Sequence, residues 1–392
     1  LEGVLALLES YNSGVDASCI ATASGMAAIQ SATDQFLVED PKRPGAPMNF
    51  VATCQVYGGT FQQFAMRKEK ERNIEWRRII NSNNISEWES QIDENTRFLY
   101  GEMPSNPSQA FFNIKKVIEL AHKFGIPAIF DSTVATPALL RPLEYGADIV
   151  VQSVTKSLFT SGFGIAGAII ARKNITTNID NPEMKADFCA YLKQLPNRDN
   201  GPNISPMNAI LALNDIRTIR HRMDISSRST MKVAEFLKQH KHIEGVDYLG
   251  LEEHHLHTLA KDYLFLVDAE YDEIYGSPQN RYGHLMSFRV KGGAANTRKV
   301  FDAFQRIWRA TDLGRIKSVA TIPAISTHSQ QGEEGRKLAN IPPNLIRLCV
   351  GLEHPDDVIA DLDQSLSTLD GNKVTMTFPE FSAGGASSAK IG

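Results

Sequence analysis

The sequence lacks the features that would point to a membrane or to nucleic acid. No apolar run approaches the roughly 20 residues that a membrane-spanning helix needs. The 41 Lys and Arg residues are outnumbered by 45 Asp and Glu residues, giving a formal net charge of −4. There is therefore no basic excess that would favour nucleic acid or an anionic membrane surface, and we expect neither as a partner.

Cysteine is scarce as well. The four cysteines, Cys19, Cys54, Cys189 and Cys349, are scattered along the chain and show no metal-ligand spacing. Free thiols in a reducing compartment are the expected state of such a set. We therefore predict a cytoplasmic protein without a metal site.

What the first half does contain is an alternation of short apolar runs with helical patterns. Helices are predicted at Met26–Phe36 and Ile114–Phe124. This βαβα rhythm predicts an α/β fold with a mostly parallel sheet covered by helices. The predicted strands are Ser18–Thr22, Asn49–Thr53, Arg97–Gly101, Ala128–Phe130, Asp148–Val151 and Ala166–Ala171.

The second half has a different pattern. A long helical stretch covers 207–240, with a polar break near 224–230, and such a segment often crosses between domains. Strands and helices then alternate, which predicts a smaller α+β domain. The predicted strands are Leu285–Val290 and Leu345–Val350, and the predicted helices are Thr297–Ala310 and Pro355–Leu369. We predict a large domain at 1–215, a smaller one at 216–370, and a tail at 371–392.

Polar residues follow the predicted strands of the large domain. Because ligands of open α/β sheets collect at the carboxyl ends of the strands, these residues are expected to share one rim. The set contains one lysine, one aspartate, an aromatic ring and several hydroxyls. Its members are Ser24, Gly25, Met26, Tyr57, Asn106, Asp131, Ser153, Thr155 and Lys156.

This set suits pyridoxal phosphate. Ser24, Gly25 and Met26 open a helix, whose N–H groups and positive dipole end favour a phosphate. Ser153 and Thr155 can add hydroxyl donors to the same group.

The remaining members suit the cofactor ring. Lys156 can attach the cofactor covalently and carry a proton, because a desolvated lysine in an electropositive site becomes nucleophilic. Asp131 can keep the pyridine nitrogen protonated, which makes the ring an electron sink. Tyr57 can stack on the ring.

Each residue also has an ordinary structural explanation. A serine before a helix is commonly an N-cap, a strand-end aspartate commonly belongs to a turn, and a loop lysine is commonly a solvated charge. The joint occurrence at successive strand ends is what favours a cofactor site.

The motifs resemble a known family. The stretches ATASGMAAI, VYGGTF, GEMPSNP, HLMSFRVKGG and IRLCVGLEHPDDVIADL, and above all residues 127–156, are similar to the cystathionine gamma-synthase-like enzymes. These form the Cys/Met metabolism family of pyridoxal-phosphate-dependent enzymes. The resemblance covers Leu1 to about Leu369.

The resemblance implies a fold, an assembly and two further roles. The fold would be the aspartate-aminotransferase type (fold type I), and the assembly a homodimer or a tetramer of two close dimers. Lys156 would hold the cofactor, Asn106 would contact the ring hydroxyl, and Arg347 would bind the substrate carboxylate. From the sequence alone, Arg347 could equally be a structural residue paired with Glu353 or Asp357.

The sequence also departs from the family pattern. The loop after Lys156 reads SLFTSGFG, Asp312 stands where a serine is often found, and 265–281 resembles an insertion near the site. The chain opens on Leu1 inside a helical pattern, so we expect the family's N-terminal arm to be absent.

The resemblance leaves the reaction open between three alternatives. The first is γ-replacement on an activated homoserine, as in cystathionine gamma-synthases and O-acyl-homoserine sulfhydrylases. The second is a cystathionine- or methionine-type β- or γ-lyase, although methionine gamma-lyases usually carry a cysteine at the place of Gly59. The third is the same fold and cofactor with a specialised or lost activity, which the departures would support.

Overall fold

The computed structural model of the protein describes residues 1–11, 13–39 and 41–374. Within them the chain forms two β-sheets, each packed against helices. No helix of these residues is long and apolar enough to cross a membrane. Most of the predicted tail, 375–392, lies outside the described residues.

The first sheet and its helices take up the chain as far as Ile216. The strands are β1 (Ala17–Thr22), β2 (Asn49–Thr53), β3 (Glu75–Ile79), β4 (Thr96–Glu102), β5 (Ala128–Asp131), β6 (Ile149–Gln152) and β7 (Gly167–Arg172). The helices are α1 (Glu2–Ser10), α2 (Gly25–Asp34), α3 (Gly58–Gln62), α4 (Ile85–Ser90), α5 (Ile114–Lys123), α6 (Pro182–Ala186), α7 (Phe188–Gln194), α8 (Pro196–Asn200) and α9 (Pro206–Ile216), with a π-helical continuation of α3 at Gln63–Lys70.

This sheet is mostly parallel, as predicted. Its strand order is β1-β7-β6-β5-β4-β2-β3, and only β7 runs against the others. All six predicted strands are confirmed to within one residue at each end. The carboxyl ends of β1, β2, β4, β5 and β6 therefore meet at one rim.

Both faces of the sheet are buried, which explains the apolar runs in its sequence. Neighbouring residues of one strand enter different cores: Ile129 and Val151 pack on one face, whereas Phe130 and Val150 pack on the other. Helices α2 and α7 cover the first face and α5 covers the second. A central parallel sheet with both faces covered requires such continuous apolar strands.

The second sheet is smaller and mostly antiparallel. Its strands are β8 (Ile243–Asp247), β9 (Leu285–Val290), β10 (Trp308–Arg309), β11 (Val319–Thr321) and β12 (Leu345–Cys349), in the order β10-β11-β12-β9-β8. The accompanying helices are α10 (Ile219–Gln239), α11 (His257–Lys261), α12 (Gly293–Asp302), α13 (Gly332–Leu338) and α14 (Pro355–Ser367).

The predicted break at 224–230 is wrong, because α10 is continuous there. Its polar residues face a neighbouring segment that satisfies them: Asp224 accepts hydrogen bonds from Arg281 and Tyr275 at 2.6 and 2.7 Å. The chain breaks instead at 217–218, between α9 and α10. As predicted, the helical stretch crosses between two cores, since Met223 packs in a core of the first sheet and Leu237 in the core of the second sheet. The domain boundary at 215/216 stays a prediction.

The predicted helix at Thr297–Ala310 is confirmed only in its first half. Helix α12 begins earlier, at Gly293, and ends at Asp302. Beyond it, the buried carboxylate of Asp361 accepts hydrogen bonds from the N–H groups of three consecutive residues at 2.7–2.9 Å, those of Gln305, Arg306 and Ile307. These N–H groups are thereby withdrawn from helical bonding, and the chain continues into β10.

The segment 265–281, expected near the site, lies elsewhere. Phe265 and Val267 donate backbone hydrogen bonds to Leu139 and Ala138 at 3.1 and 2.9 Å, which anchors the segment beyond the rim. None of its residues lines the cavity described below.

Helix α1 buries a carboxyl group against the sheet. Glu9 is fully buried, and its Oε1 accepts a 2.9 Å hydrogen bond from Gln152 Nε2. Glu9 Oε2 and Gln152 Oε1 have no partner among the described residues. Burial raises the pKa of Glu9 to about 8, against the hydrogen bond from Gln152 that lowers it. When Glu9 is protonated, its carboxyl group carries an O–H donor. The unpaired Gln152 Oε1 is an acceptor that needs such a donor.

This carboxyl group predicts a pH-dependent stability. The folded chain keeps a proton that the unfolded chain releases above about 4.5, so the free energy of unfolding falls as pH rises from there to about 8. Glu9→Gln should remove this slope and stabilise the protein by about 1–3 kcal/mol near pH 8. Denaturant unfolding from pH 5 to 8 measures it. Glu235→Gln, on the exposed face of α10, is the control and should keep the slope; equal slopes in all three proteins would contradict the assignment.

Candidate active site

The rim of the first sheet encloses a cavity of about 230 Å³. Residues from both sheets line it. All ten candidate site residues contribute to its wall: Ser24, Gly25, Met26, Tyr57, Asn106, Asp131, Ser153, Thr155, Lys156 and Arg347.

One end of the cavity is formed by the start of α2. Ser24 is the N-cap of this helix, and its hydroxyl accepts a hydrogen bond from Ala27 N at 3.1 Å. The first backbone bond of the helix comes from Ala28 N, so the N–H groups of Gly25 and Met26 precede the regular bonding. A Cβ atom on Gly25 would lie 2.7 Å from Ser153 Cβ. Glycine at 25 therefore lets the two loops close into one cradle.

The two hydroxyls of the neighbouring loop differ in availability. Thr155 Oγ1 donates to Ala166 O and accepts from Ala166 N, both at 2.9 Å, so its only hydrogen is already used. The Ser153 hydroxyl has no hydrogen bond to the described residues, and Ser153 N donates to Thr133 Oγ1 at 2.7 Å. Ser153 is the better anion donor, and Thr155 holds the loop in shape.

Two carboxyl groups stand side by side beneath the cavity. Asp131 and Glu102 are paired residues of the adjacent strands β5 and β4, and both are buried. Burial raises the pKa of each, and the charge of Asp131 raises that of Glu102 further. The N–H of Thr133 donates to Asp131 Oδ1 at 2.9 Å. A cationic group in the cavity would favour the ionised form of Asp131.

Glu102 holds two loops of the site through their backbones. Its carboxylate oxygens accept hydrogen bonds from Tyr57 N at 2.6 Å and from Asn106 N at 2.8 Å. The sequence did not indicate this function, because a backbone partner leaves no residue pattern. Glu102 is thus a positioning residue for both loops.

The ring of Tyr57 lies against the backbone of its own loop. A Cβ atom on Gly59 would lie 2.6 Å from the Tyr57 ring and 3.1 Å from Met26 Sδ. Any side chain at 59 would therefore displace the ring. Tyr57 remains partly exposed at the mouth of the cavity.

Arg347 enters the cavity from β12 of the second sheet. It is fully buried, and it donates hydrogen bonds to Asn106 Oδ1 at 3.2 Å and to the carbonyl oxygens of Thr311 and Asp312 at 2.9 and 2.8 Å. Its Nε has no partner among the described residues. Burial holds the pKa of Arg347 below its usual value.

If Arg347 were a structural residue, as the sequence also allowed, it would need Glu353 or Asp357 as an ion-pair partner. Glu353 instead accepts hydrogen bonds from Ser318, and Asp357 pairs with Arg306 at 2.9 Å. Within the described ranges, no carboxylate lies within ion-pairing distance of Arg347. The guanidinium is therefore a buried cation at a cavity wall, and a carboxylate ligand would neutralise it.

Lys156 also lies between the two sheets. Its amino group lies 2.9 Å from Asp312 Oδ1. The other oxygen of Asp312 accepts a hydrogen bond from Arg315 Nε. The loop that follows Lys156 is tied to the same turn, because Thr160 Oγ1 donates to Gly314 O at 2.9 Å.

Several wall residues were not predicted. Most are apolar or contribute through their backbone, and such residues carry no motif that a single sequence reveals. They are Ile29, Glu102, Thr133, Val134, Ile165, Thr311 and Leu313.

The wall fits pyridoxal phosphate. The α2 start and Ser153 form a narrow anion cradle at one end, which a side chain at 25 would fill. Asp131 is a buried carboxyl group that a cationic ligand group could pair with, and Lys156 lines the same cavity. Phosphate, pyridine nitrogen and aldehyde each find a matching group on one wall.

Comparisons with known proteins agree with this fit. The family profile described as "Cys/Met metabolism PLP-dependent enzyme" matches residues 1–367. The Schizosaccharomyces pombe protein named homocysteine synthase is 31% identical over 89% of this chain and 81% of its own length. The Porphyromonas gingivalis protein named L-methionine gamma-lyase is 33% identical over 94% of this chain and 82% of its own length.

Solved structures show the same fold. A Campylobacter jejuni protein assigned as an O-acetylhomoserine (thiol)-lyase superposes with a TM-score of 0.81 at 32% identity, covering 93% of this chain and 85% of that one. That crystal structure contains N'-pyridoxyl-lysine-5'-monophosphate. A cystathionine gamma synthase of Xanthomonas oryzae has a TM-score of 0.79 at 27% identity, covering 94% and 85%.

These findings confirm the predicted fold type I architecture and the predicted cofactor. The match spans almost the whole described chain. The chain belongs to the Cys/Met metabolism family of pyridoxal-phosphate-dependent enzymes.

Proposed function

We propose that the protein catalyses γ-replacement on an activated homoserine, in the manner of an O-acyl-homoserine sulfhydrylase or cystathionine gamma-synthase. The observation that carries the proposal is the meeting of Lys156, Asp131 and the unneutralised Arg347 on one cavity wall. The choice of reaction is supported by the relatives named homocysteine synthase and O-succinylhomoserine sulfhydrylase. The latter, from Pseudomonas aeruginosa, is 31% identical over 89% of this chain and 77% of its own length.

In this proposal each wall residue holds one part of the cofactor. The N–H groups of Gly25 and Met26, with Ser24 at the cap and Ser153, bind the phosphate. Thr155 keeps that loop in place through Ala166.

The ring is held by other residues. Asp131 pairs with the pyridine nitrogen, Tyr57 stacks on the ring, and the amide of Asn106 contacts the ring hydroxyl. When bound, the cofactor supplies an electron sink for charge that develops at the substrate α-carbon. Lys156 carries the cofactor and moves protons at the α-carbon and along the substrate side chain.

Arg347 orients the substrate. Its Nε–H group, which has no partner among the described residues, can donate a hydrogen bond to the α-carboxylate, which places the α-carbon beside Lys156. The hydrogen bonds to Thr311 O and Asp312 O fix the guanidinium before the substrate arrives, so little order is lost on binding.

A second candidate is a carbon–sulfur lyase. The Porphyromonas gingivalis relative named L-methionine gamma-lyase favours it. Gly59 opposes it, because methionine gamma-lyases usually carry a cysteine at this position.

A product assay separates the candidates. We expect the enzyme to consume O-acetyl- or O-succinyl-homoserine only when sulfide or cysteine is present, and to form homocysteine or cystathionine. Methionine or cystathionine supplied alone should give little 2-oxo acid. Rapid 2-oxo acid release from either would identify a lyase, and no turnover with a bound cofactor would indicate a lost or specialised activity.

The carboxylate role of Arg347 predicts a specific kinetic change. Arg347→Lys keeps the charge but loses the planar guanidinium and its unpaired Nε–H donor, so apparent substrate affinity should weaken by about 1–3 kcal/mol, the range of a charged hydrogen bond. Steady-state kinetics and thermal melting measure the two effects together. The control Arg306→Lys alters an arginine that pairs with Asp357 away from the cavity. A lower melting temperature with an unchanged KM would assign Arg347 to the structure instead.

We further propose a homodimer, alone or as half of a tetramer. Four apolar side chains lie exposed beside the cavity mouth, with exposed fractions of 81, 58, 64 and 66% for Phe163, Ile165, Met207 and Ile210. The loop that carries Phe163 and Ile165 contacts helix α9, since Asn208 Nδ2 donates to Ile165 O at 2.9 Å. A second copy of the chain would remove this patch from water.

The patch predicts how the assembly responds to charge. Met207→Glu combined with Ile210→Glu should weaken self-association by at least about tenfold, because two charges would enter an apolar contact. Light scattering across a concentration series measures this. Ile274→Glu, at an equally exposed residue of the segment 265–281, should leave the assembly intact. A wild-type monomer at micromolar concentration would refute the proposal.

We also propose a cytoplasmic location. It is supported by the four cysteines, all of which are free thiols. Three of them are buried, which is the usual setting of unreactive cysteines in a reducing compartment.

A further inference from the structure

The carboxylate of Asp312 has no role in the function proposed above, yet it contacts the amino group of Lys156. Its Oδ1 lies 2.9 Å from Lys156 Nζ. The side chains are 33% and 25% exposed, so the ion pair is largely shielded from water. The contact joins the first sheet to the turn between β10 and β11 of the second.

Asp312 is held in position from its own turn. The N–H of Leu313 donates to Asp312 Oδ1 at 2.9 Å, and Arg315 Nε donates to Oδ2. Arg315 is fixed in turn, because its Nη1 donates to Phe159 O at 2.9 Å. Each oxygen therefore has a partner besides Lys156, and the carboxylate keeps its orientation when the lysine leaves.

The surroundings keep this carboxylate charged. Burial acts to raise the pKa of Asp312, but the charges and hydrogen bonds of Lys156 and Arg315 outweigh it and hold the pKa below its usual value. Asp131 and Glu102, the two carboxyl groups that line the cavity, have pKa values raised by burial. Asp312 is thus the carboxyl group best suited to pair with an ammonium group.

We propose that Asp312 is a positioning residue that receives the amino group of Lys156 whenever this lysine is not bonded to the cofactor. The inference rests on the proposed function, in which Lys156 carries the cofactor. With the cofactor bound, an incoming substrate would replace the protonated C=N bond to Lys156 by a protonated C=N bond to its own nitrogen. The substrate ammonium group would give up two protons in this exchange, and Lys156 would take up both. The released lysine would then be an ammonium group that pairs with Asp312.

The pairing with Asp312 favours the state in which Lys156 is not bonded to the cofactor. An ion pair that exists only when Lys156 is released stabilises the protein with the lysine free, whether the cofactor is absent or held by the substrate. Asp312 therefore weakens cofactor binding to the empty protein and strengthens amino-acid binding to the loaded protein. A residue with a merely structural role would move both affinities in the same direction.

Asp312→Asn tests this, because asparagine keeps the shape and the hydrogen-bond acceptor but loses the charge. We expect pyridoxal phosphate to bind the apoprotein about 3–10-fold more tightly, the range of a partly shielded ion pair. We expect L-norleucine, which has no leaving group, to bind the loaded variant more weakly by a similar factor. Fluorescence titration measures the first affinity and absorbance titration the second.

A double-mutant cycle isolates the contact. Removing a negative charge could by itself favour an anionic cofactor, and the same substitution in a Lys156→Ala background measures that general effect. We expect Asp312→Asn to leave cofactor affinity nearly unchanged there. An equal change in both backgrounds, or changes of both affinities in one direction, would overturn the proposal.

A separate experiment tests the role of Lys156 in the proposed function. Borohydride reduction of the loaded wild-type protein, followed by peptide mass spectrometry, locates the cofactor lysine. A reduced adduct on another lysine would refute the role of Lys156 itself. An adduct on Lys156 with no effect of Asp312→Asn would refute only the inference about Asp312.

Discussion

One buried guanidinium joins the two sheets at the cavity. Arg347 belongs to β12, but it donates a hydrogen bond across the junction to Asn106 in the loop after β4. Burying such a charge is costly unless it is hydrogen-bonded and neutralised. Here the hydrogen bonds are present, and no carboxylate of the described chain neutralises the charge. A carboxylate ligand would therefore stabilise this buried cation, which is the basis of the role proposed for Arg347.

Much of the site could be predicted because its chemistry lies at strand ends. Strands such as β5 and β6 are buried on both faces, so their apolar runs are long, and the polar residue that ends each run stands out. The edge strand β3 was missed, because its buried residues Trp76 and Ile79 are three positions apart with two arginines between them, a spacing that resembles a helix or a loop. Position in the sheet, which no local pattern shows, decides between these interpretations.

The errors of prediction share one physical cause, which is satisfaction of polar groups by residues far away in sequence. Asp224 resembled a helix break until Arg281 and Tyr275 supplied its partners, and Asp361 ended a region that resembled a helix. Glu102 was overlooked for the same reason, since its partners are backbone N–H groups. A single sequence shows which side chains are polar but not which groups will pair with them.

Helix α10 has a mechanical consequence. The first half of the helix packs in the core of the large sheet and the second half in the core of the small sheet. The helix is therefore fixed at both ends and connects the two cores. A change in the angle between the sheets must either bend helix α10 or disrupt its packing in one of the two cores. The cavity walls come from both sheets, so a helix that packs in both cores resists a change in their separation. We expect selectivity for ligand length to depend on this separation as well as on the side chains that line the cavity.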